Sequence, residues 1–409
     1  MNVVLISAYF PPDTGSASHL FYELGCEFVK RGHDVKVITS FPSYYPTGNW
    51  KNYKNKFFVK EKKEDITVLR IKVFTFPRHI PFARALWQFN LAAFFLLCGI
   101  FIKNVDVIIV YSPPLTLGIT AWILAKLRNA KFILNVQDLF PQSIIDLGIL
   151  KNRILIKFFE SMEKFVYEKA DFITVHSEGN KRHIIEKIKN HKKVSIIPNW
   201  VDIEFLKPGE KINEFSKKYN LSNKFVVSFA GVLGYSQDID IILDAAKKLE
   251  EYKDIIFIIV GDGVEKPRLL KKAELMELKN VVFLPMQPRE IYPYIIHSSD
   301  VSLVTLHSCV KTPVVPSKIL SIMACGKPLI ASLDLNGDAA RLIEEAKCGF
   351  VIPPENPSLL AEKILEIYKN KEIGEKMGEN GRKYIEEKFS LKLCADKYET
   401  LLKFLVPGG

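Results

Sequence analysis

The chain has 409 residues, with 57 Lys and Arg against 46 Asp and Glu and a formal net charge of +11. Hydrophobic residues make up 48% and charged ones 25%, which excludes a disordered chain and fits a soluble globular protein of two or three domains. Six cysteines, at 26, 98, 309, 325, 348 and 394, form no Cys-x-x-Cys pair. That argues against a zinc ribbon and a disulfide framework, and the thiols are expected to be small buried hydrophobes.

The charge is unevenly placed. Residues 1–200 hold 28 basic and 16 acidic side chains, a net +12, whereas residues 201–409 hold 29 and 30. Within the first half, residues 51–84 carry ten basic and three acidic side chains. An anionic partner for the N-terminal half follows as an expectation: nucleic acid, phospholipid or a phosphorylated substrate, with an ordinary solvated surface as the alternative. No arginine-rich or aromatic-basic motif accompanies the charge, so nucleic acid is not expected. The chain enters Val3-Val4-Leu5-Ile6 without a basic leader, which predicts a cytoplasmic protein, or one on the cytoplasmic face of the membrane.

Short apolar, β-branched runs alternate with helical patterns from end to end. In the first half the runs predict strands at 3–8, 34–39, 66–73, 105–111, 131–136, 171–175 and 193–197, with helices at 17–31, 115–128, 153–169 and 178–189. A break lies near Pro198-Asn199-Trp200-Val201-Asp202, followed by a short helix over 210–219. The second half predicts strands at 225–230, 255–260, 281–284, 300–304, 327–331 and 349–352, with helices near 238–251, 265–276, 317–325, 338–346 and 357–370. The end of the chain reads as helix alone. This is the βαβ rhythm of parallel sheets, and it occurs twice. The expected fold class is α/β, two doubly wound Rossmann-like domains facing a cleft. The divisions are 1–200, 201–385 and a helical segment 386–409 that packs back on the first domain.

Residues 85–102, ALWQFNLAAFFLLCGIFI, contain only Gln88 and Asn90 as polar residues, and no acid occurs between 66 and 105. The clean apolar run is shorter than the ~20 residues of a membrane span. A helix apolar all round is buried, lies in the membrane interface or crosses it. All three readings stay open, with the first two favoured by length.

Several segments place chemistry at strand ends. The first strand leads through Ser7 to Ser18 into a helix, and small residues such as Gly15 and Ser16 leave backbone N–H groups free to face an anion. In the second half Gly231 and Gly234, with Gln237, follow one strand, and Gly261 and Gly263 follow the next; glycine there permits close approach of a ligand. Ser317 and Lys318 open a helix, with Ser317 as its expected N-cap. A cation in a first turn is unfavourable for the helix dipole, which a bound phosphate would offset. In the first half Asp138 lies just past a strand, as do His176 and Glu178, where polar groups can meet a sugar; an N-cap role for Asp138 or Ser177 is the competing reading. Asp238-Ile239-Asp240 reads Asp-x-Asp but falls at a helix start, where it serves better as capping charge than as a metal site.

Together these residues resemble the retaining glycosyltransferases of family 4. The resemblance spans nearly the whole chain and is carried by YFPPDTGSAS, RGHDVKVITSFPSYYPTG at 31–48, VQDLFPQS, SIIPNWVDIEFLKP at 195–208, IIVGDG, VVFLPMQPREIYPYIIHSSDVSLVTL and VVPSKILSIMACGKPLIAS at 314–332. It implies the two-Rossmann GT-B fold. The branch it is most similar to assembles O-antigen and colanic acid and includes fucosamine transferases. There the acceptor sugar hangs on a polyprenyl pyrophosphate, so the implied partners are a nucleotide-diphosphate sugar, a polyprenyl-pyrophosphate-linked sugar and an anionic membrane surface. No cofactor and no metal are implied. The resemblance puts Lys318 on the donor diphosphate, helped by Ser317 and the Gly15-Ser16 loop, and main chain at Met286-Gln287 on the base. Asp138 is the expected catalytic partner of Lys318, with His176 and Glu178 on the acceptor side. One departure stands out. The Glu-x7-Glu pair of most members is replaced by Pro313 and Ser321, and the usual Arg and Lys after Gly231 are missing. Ser321 is kept as a donor-side candidate. A non-catalytic membrane subunit that keeps the fold is the alternative reading.

Overall fold

The computed structural model describes the chain except Thr14, residues 44–52, Lys54, residues 75–80 and residues 408–409; the side chains of Ser16 and of residues 81–85 are also outside the described set. The last part of the block at 31–48 and a minority of the basic stretch at 51–84 therefore lie outside the described residues. The chain divides into two compact units: Met1–Trp200 with Leu391–Gly409, and Val201–Ser390.

The N-terminal unit runs β1 (Asn2–Ile6), α1 (Ser16–Lys30), β2 (Asp34–Ser40), β3 (Phe58–Lys63), β4 (Ile66–Ile71), α2 (Pro81–Gly99), β5 (Val107–Ser112), α3 (Thr116–Arg128), β6 (Lys131–Val136), α4 (Gln142–Asp146), α5 (Arg153–Lys169), β7 (Phe172–Val175), α6 (Glu178–Ile185) and β8 (Val194–Ile196). Its eight-stranded sheet has the order β3-β4-β2-β1-β5-β6-β7-β8. All pairs are parallel except β3 with β4. Central strands such as β5 are buried along their whole length, as a sheet covered on both faces requires.

The C-terminal unit runs α7 (Glu214–Lys218), β9 (Phe225–Ala230), α8 (Asp240–Lys248), β10 (Ile255–Val260), α9 (Lys266–Leu275), β11 (Val281–Leu284), α10 (Tyr292–His297), β12 (Val301–Thr305), α11 (Ser317–Ala324), β13 (Leu329–Ser332), α12 (Asp338–Ala346), β14 (Gly349–Ile352), α13 (Pro357–Lys369) and α14 (Lys371–Lys388). Its sheet is fully parallel, in the order β11-β10-β9-β12-β13-β14. The strand order reverses between β9 and β12, and a crevice opens at the carboxyl ends of such neighbours. The last helix, α15 (Leu391–Leu405), belongs to the N-terminal unit, where Cys394, Ala395, Tyr398 and Leu402 join the core under α1.

Three expectations change. Strand β3 was not read from the sequence; it is a lysine-rich edge strand in an antiparallel hairpin, turned by Glu64 and Asp65 at positive φ. The apolar run at 85–102 is no span: among the described residues no helix is long and apolar enough to cross a membrane. Helix α2 instead buries Leu91, Phe95 and Cys98 and leaves Leu86, Phe89 and Leu97 exposed. Ser317 is not a cap; α11 starts on it, with Pro316 in the capping position and no side-chain hydrogen bond there. The six cysteines are free, and four of them are buried.

Candidate active site

The site in the C-terminal unit forms where β9 and β12 diverge. Gly231 follows β9, and its N–H donates to the Val260 carbonyl (2.9 Å). Its φ is +156°, and an added Cβ would meet Lys318 Nζ at 3.3 Å. The loop continues through a turn in which the Gln237 N–H donates to the Gly234 carbonyl (3.0 Å). Gly261 packs against this loop so closely that a Cβ would lie 1.9 Å from the Gly231 carbonyl oxygen. Side chains are excluded at such a crossing by simple overlap. Gly263 makes the same approach to Leu233, whose N–H donates to the Asp262 carbonyl (2.8 Å).

Lys318, in the first turn of α11, reaches this loop. Its Nζ donates to Gln237 Oε1 (2.7 Å) and sits 3.8 Å from the centre of the Phe229 ring. Among the described residues no carboxylate pairs with it. Burial alone moves the ammonium down to a pKa of about 7. A cation held by a neutral amide and a ring face in the first turn of a helix is an arrangement that can receive an anion. Lys318, Gln237, Gly231 and Gly261 are thus brought together, with Gly234 and Gly263 shaping the loop. Phe229 was missed from the sequence, although an aromatic residue near the carboxyl end of a strand was the available signal.

The remaining donor-side candidates are placed less directly. Met286 and Gln287 follow β11, whose Leu284 carbonyl accepts from the Gly261 N–H (3.1 Å); the Gln287 amide turns back to its own Pro285 carbonyl (2.9 Å). Ser317 is exposed at the start of α11, and Ser321 Oγ, one turn on, donates to the Ser317 carbonyl (3.3 Å). Asp240 is no metal ligand in waiting. Arg268 and Lys272 take its carboxylate at 2.5–3.0 Å and hold it at a pKa of about 2. Asp238 is buried, with Oδ1 3.4 Å from the Ile241 N–H. Among the described residues no three His, Cys, Asp or Glu side chains converge as a metal site needs.

In the N-terminal unit the polar candidates lie past β6 and β7. Asp138 is exposed. It caps no helix, since α4 starts four residues later with Pro141 in the capping position. Its neighbour Gln137, missed from the sequence, is buried and exchanges hydrogen bonds with Asn199 (2.8 and 2.7 Å) and donates to Asn135 Oδ1 (2.9 Å). Asn135 Nδ2 donates in turn to Thr174 Oγ1 (3.0 Å) and to the hydroxyl of Tyr398 on α15 (2.9 Å). His176 is buried here too, its Nε2 donating to the Gln137 carbonyl (2.9 Å). Ser177 caps α6 by accepting from the Asn180 N–H, and Glu178 is exposed in the first turn. The signal for this network was a strand that reads Asn135-Val136-Gln137 among apolar residues. Gly15, at φ +107°, precedes α1, which has no side-chain cap. The loop before it is pinned by buried Arg70, which donates to the Pro11 and Ser40 carbonyls and to Glu61 (2.6 Å).

Comparison with known proteins agrees with this architecture. Residues 17–205 match "Glycosyltransferase Family 4" and residues 211–384 match "Glycosyl transferases group 1". A glycosyl transferase of Escherichia coli K12 named for colanic acid biosynthesis, WcaI, is 26% identical over 354 residues, covering 84% of this chain and 86% of that protein. The uncharacterized glycosyltransferase MJ1178 of Methanocaldococcus jannaschii is 30% identical over 278 residues, covering 66% of this chain and 68% of the relative. Among solved structures, Anabaena HepE in complex with UDP-glucose superposes with a TM-score of 0.73 at 17% identity, covering 98% and 99% of the two chains. The chain belongs to the family 4 glycosyltransferases, enzymes of the GT-B architecture.

Proposed function

We propose that this enzyme transfers a hexose from a nucleotide-diphosphate sugar, UDP-linked, to a sugar carried on a polyprenyl pyrophosphate, in cell-surface polysaccharide assembly. An N-acetylated or deoxy amino sugar is the candidate hexose. The carrying observation is Lys318, a half-buried cation held by Gln237 over Phe229 beside Gly231, with no carboxylate on it among the described residues. HepE, of like fold, was solved with UDP-glucose, and WcaI is named for colanic acid biosynthesis; both support the reading.

The chemical problem is departure of the nucleoside diphosphate, which leaves negative charge on the β-phosphate. Lys318 and the first turn of α11 face that charge and would stabilise it in the transition state more than in the ground state. Gly231 and Gly261 let the phosphates approach the backbone, and the main chain at Met286 and Gln287 would hold the base. In this reading catalysis retains the anomeric configuration and needs no metal. Asp138 is assigned to the acceptor, with His176 positioning the Gln137–Asp138 segment from behind and Glu178 at its rim.

A panel of nucleotide sugars, screened by thermal shift in EDTA, tests the donor. A UDP-sugar should stabilise the protein and a GDP-sugar should not. NMR of the product on a polyprenyl-pyrophosphate-linked sugar then reports the anomer. Absence of any nucleotide response, or a response that EDTA abolishes, overturns the metal-free donor site.

A further inference from the structure

A nucleotide in the proposed donor site has three parts to place, and two of them have named partners. Lys318 and Gly231 take the diphosphate, and the main chain at Met286 and Gln287 takes the base. The ribose joins the two. Ser321 lies three residues past Lys318 on α11, about 4.5 Å along the helix axis and on the same stretch of helix surface. The ribose of a nucleotide held at Lys318 therefore passes Ser321 on its way to the end of β11. Tyr292, the first residue of α10, turns its hydroxyl to Ser321, and burial keeps that hydroxyl neutral.

None of these groups waits for a ribose hydroxyl. Ser321 Oγ donates to the Ser317 carbonyl of its own helix (3.3 Å), and Gln287 Nε2 donates to the Pro285 carbonyl (2.9 Å). Helix α11 reads SKILSIMA and carries no acid. Between β11 and α10 the acid is Glu290, exposed in the turn at Arg289–Ile291. Among the described residues, the buried side-chain polar atoms without a partner include none from 285–292 or 317–324. The consequence is energetic. A site built to hydrogen-bond a hydroxyl rejects the analogue without it by about 10⁴-fold or more, because its own polar groups are then left unpaired. A site whose polar groups are already paired loses little when that hydroxyl is missing. The charge-assisted contact to the diphosphate is the same in both cases.

We infer that the donor site leaves the ribose 2′-hydroxyl unread, and so takes 2′-deoxyribonucleoside diphosphates and their sugars as well as ribonucleotides. The inference rests on the donor reading above and widens the nucleotide class that the site admits. The test is calorimetric titration of the full chain with UDP and with 2′-deoxy-UDP, which differ in that one hydroxyl. The two dissociation constants should agree within about threefold. Ser321→Glu puts a carboxylate, a charge-assisted acceptor, beside the ribose, and should make UDP at least about tenfold tighter than 2′-deoxy-UDP. The readout is a ratio, so any pull of the new carboxylate on Lys318 cancels between the two nucleotides. Ser321→Ala removes a hydroxyl that serves its own helix, and should leave the ratio as it is in the wild type. A wild type that prefers UDP by about tenfold or more overturns the inference and leaves the donor reading standing. So does a Ser321→Ala variant with a changed ratio, since Ser321 would then read the ribose. A Ser321→Glu variant that binds both nucleotides equally places the ribose away from α11 and overturns the inference as well. Binding of neither nucleotide by the wild type sinks the donor reading, and the inference with it.

Discussion

The two units are built on one plan, a parallel sheet wrapped by helices, and they leave different things unmatched. In the C-terminal unit the mismatch is electrostatic: Lys318 has an amide and a ring for neighbours and, among the described residues, no carboxylate. In the N-terminal unit the polar residues past the strands satisfy one another, from Asn199 through Gln137 and Asn135 to Tyr398. Its mismatch is apolar and lies on the outside of α2 and α5. A partly desolvated charge held only by neutral groups is costly, and an anionic ligand would offset that cost. A satisfied network needs no ligand and holds a scaffold in place. In the proposed reading the donor phosphate belongs to one unit and the other serves as a platform.

The sharpest way to break that contrast is at the glycine crossing. Gly261→Ala drives a methyl into the Gly231 carbonyl at 1.9 Å, and backbone cannot yield as a side chain does. It should destabilise the C-terminal unit by ~2–4 kcal/mol and abolish UDP binding, measured by calorimetric unfolding and titration. A variant of unchanged stability would mean that the loop is not packed as described. Tyr398→Phe probes the platform instead. It removes the acceptor of Asn135 and a partner of Thr174 (3.2 Å), and should lower stability by ~1–2 kcal/mol without changing donor affinity. If donor affinity fell with stability unchanged, the network would be more than a scaffold.

pH separates the units as well. The folded pKa of Lys318 lies near 7, below its ordinary 10.5, so the folded chain binds that proton less readily than the unfolded chain does. Stability should therefore rise with pH between these values. Donor binding runs the other way, because diphosphate favours the ammonium. Affinity for a UDP-sugar should be full below pH 7 and fall above it, by about tenfold for each unit by which the ligand raises the lysine pKa. Titrations in buffers of different ionisation enthalpy should show proton uptake at pH 8. A pH-independent affinity contradicts the assignment. The smallest effect is expected from Gln237→Ala, which removes the neutral tether of Lys318: a few-fold loss of UDP affinity, about 0.5–1.5 kcal/mol. A loss as large as that of the lysine itself would make Gln237 a direct ligand.

Much of this was legible because parallel strands are buried on both faces and announce themselves as apolar runs. Phe225–Ala230 and Ile255–Val260 were bounded by glycines that mark the donor loop. Strand β3 was not legible: Phe58–Lys63 is half-exposed and charged, so local hydrophobicity carries no signal, and its pairing with β4 is set by a turn at Glu64 and Asp65. The place of Lys318 was readable from the helix start, whereas its contact with Phe229 depends on how α11 crosses the sheet. Neither the bond from Asn135 to Tyr398 nor the reach of Arg70 to Pro11 has a local signature, since each joins residues far apart in the chain. The apolar run at 85–102 was visible, but which of its sides faces the core is decided by α3 and β2, not by the run.

The most direct test of the account is titration of the full chain with UDP and with uridine, in EDTA, for wild type and Lys318→Ala. The account expects UDP affinity to fall by about 10- to 150-fold, the equivalent of roughly 1.5–3 kcal/mol for a charge-assisted contact, with uridine affinity unchanged. Equal losses for UDP and uridine, or no UDP binding by the wild type until a divalent metal is added, would contradict it.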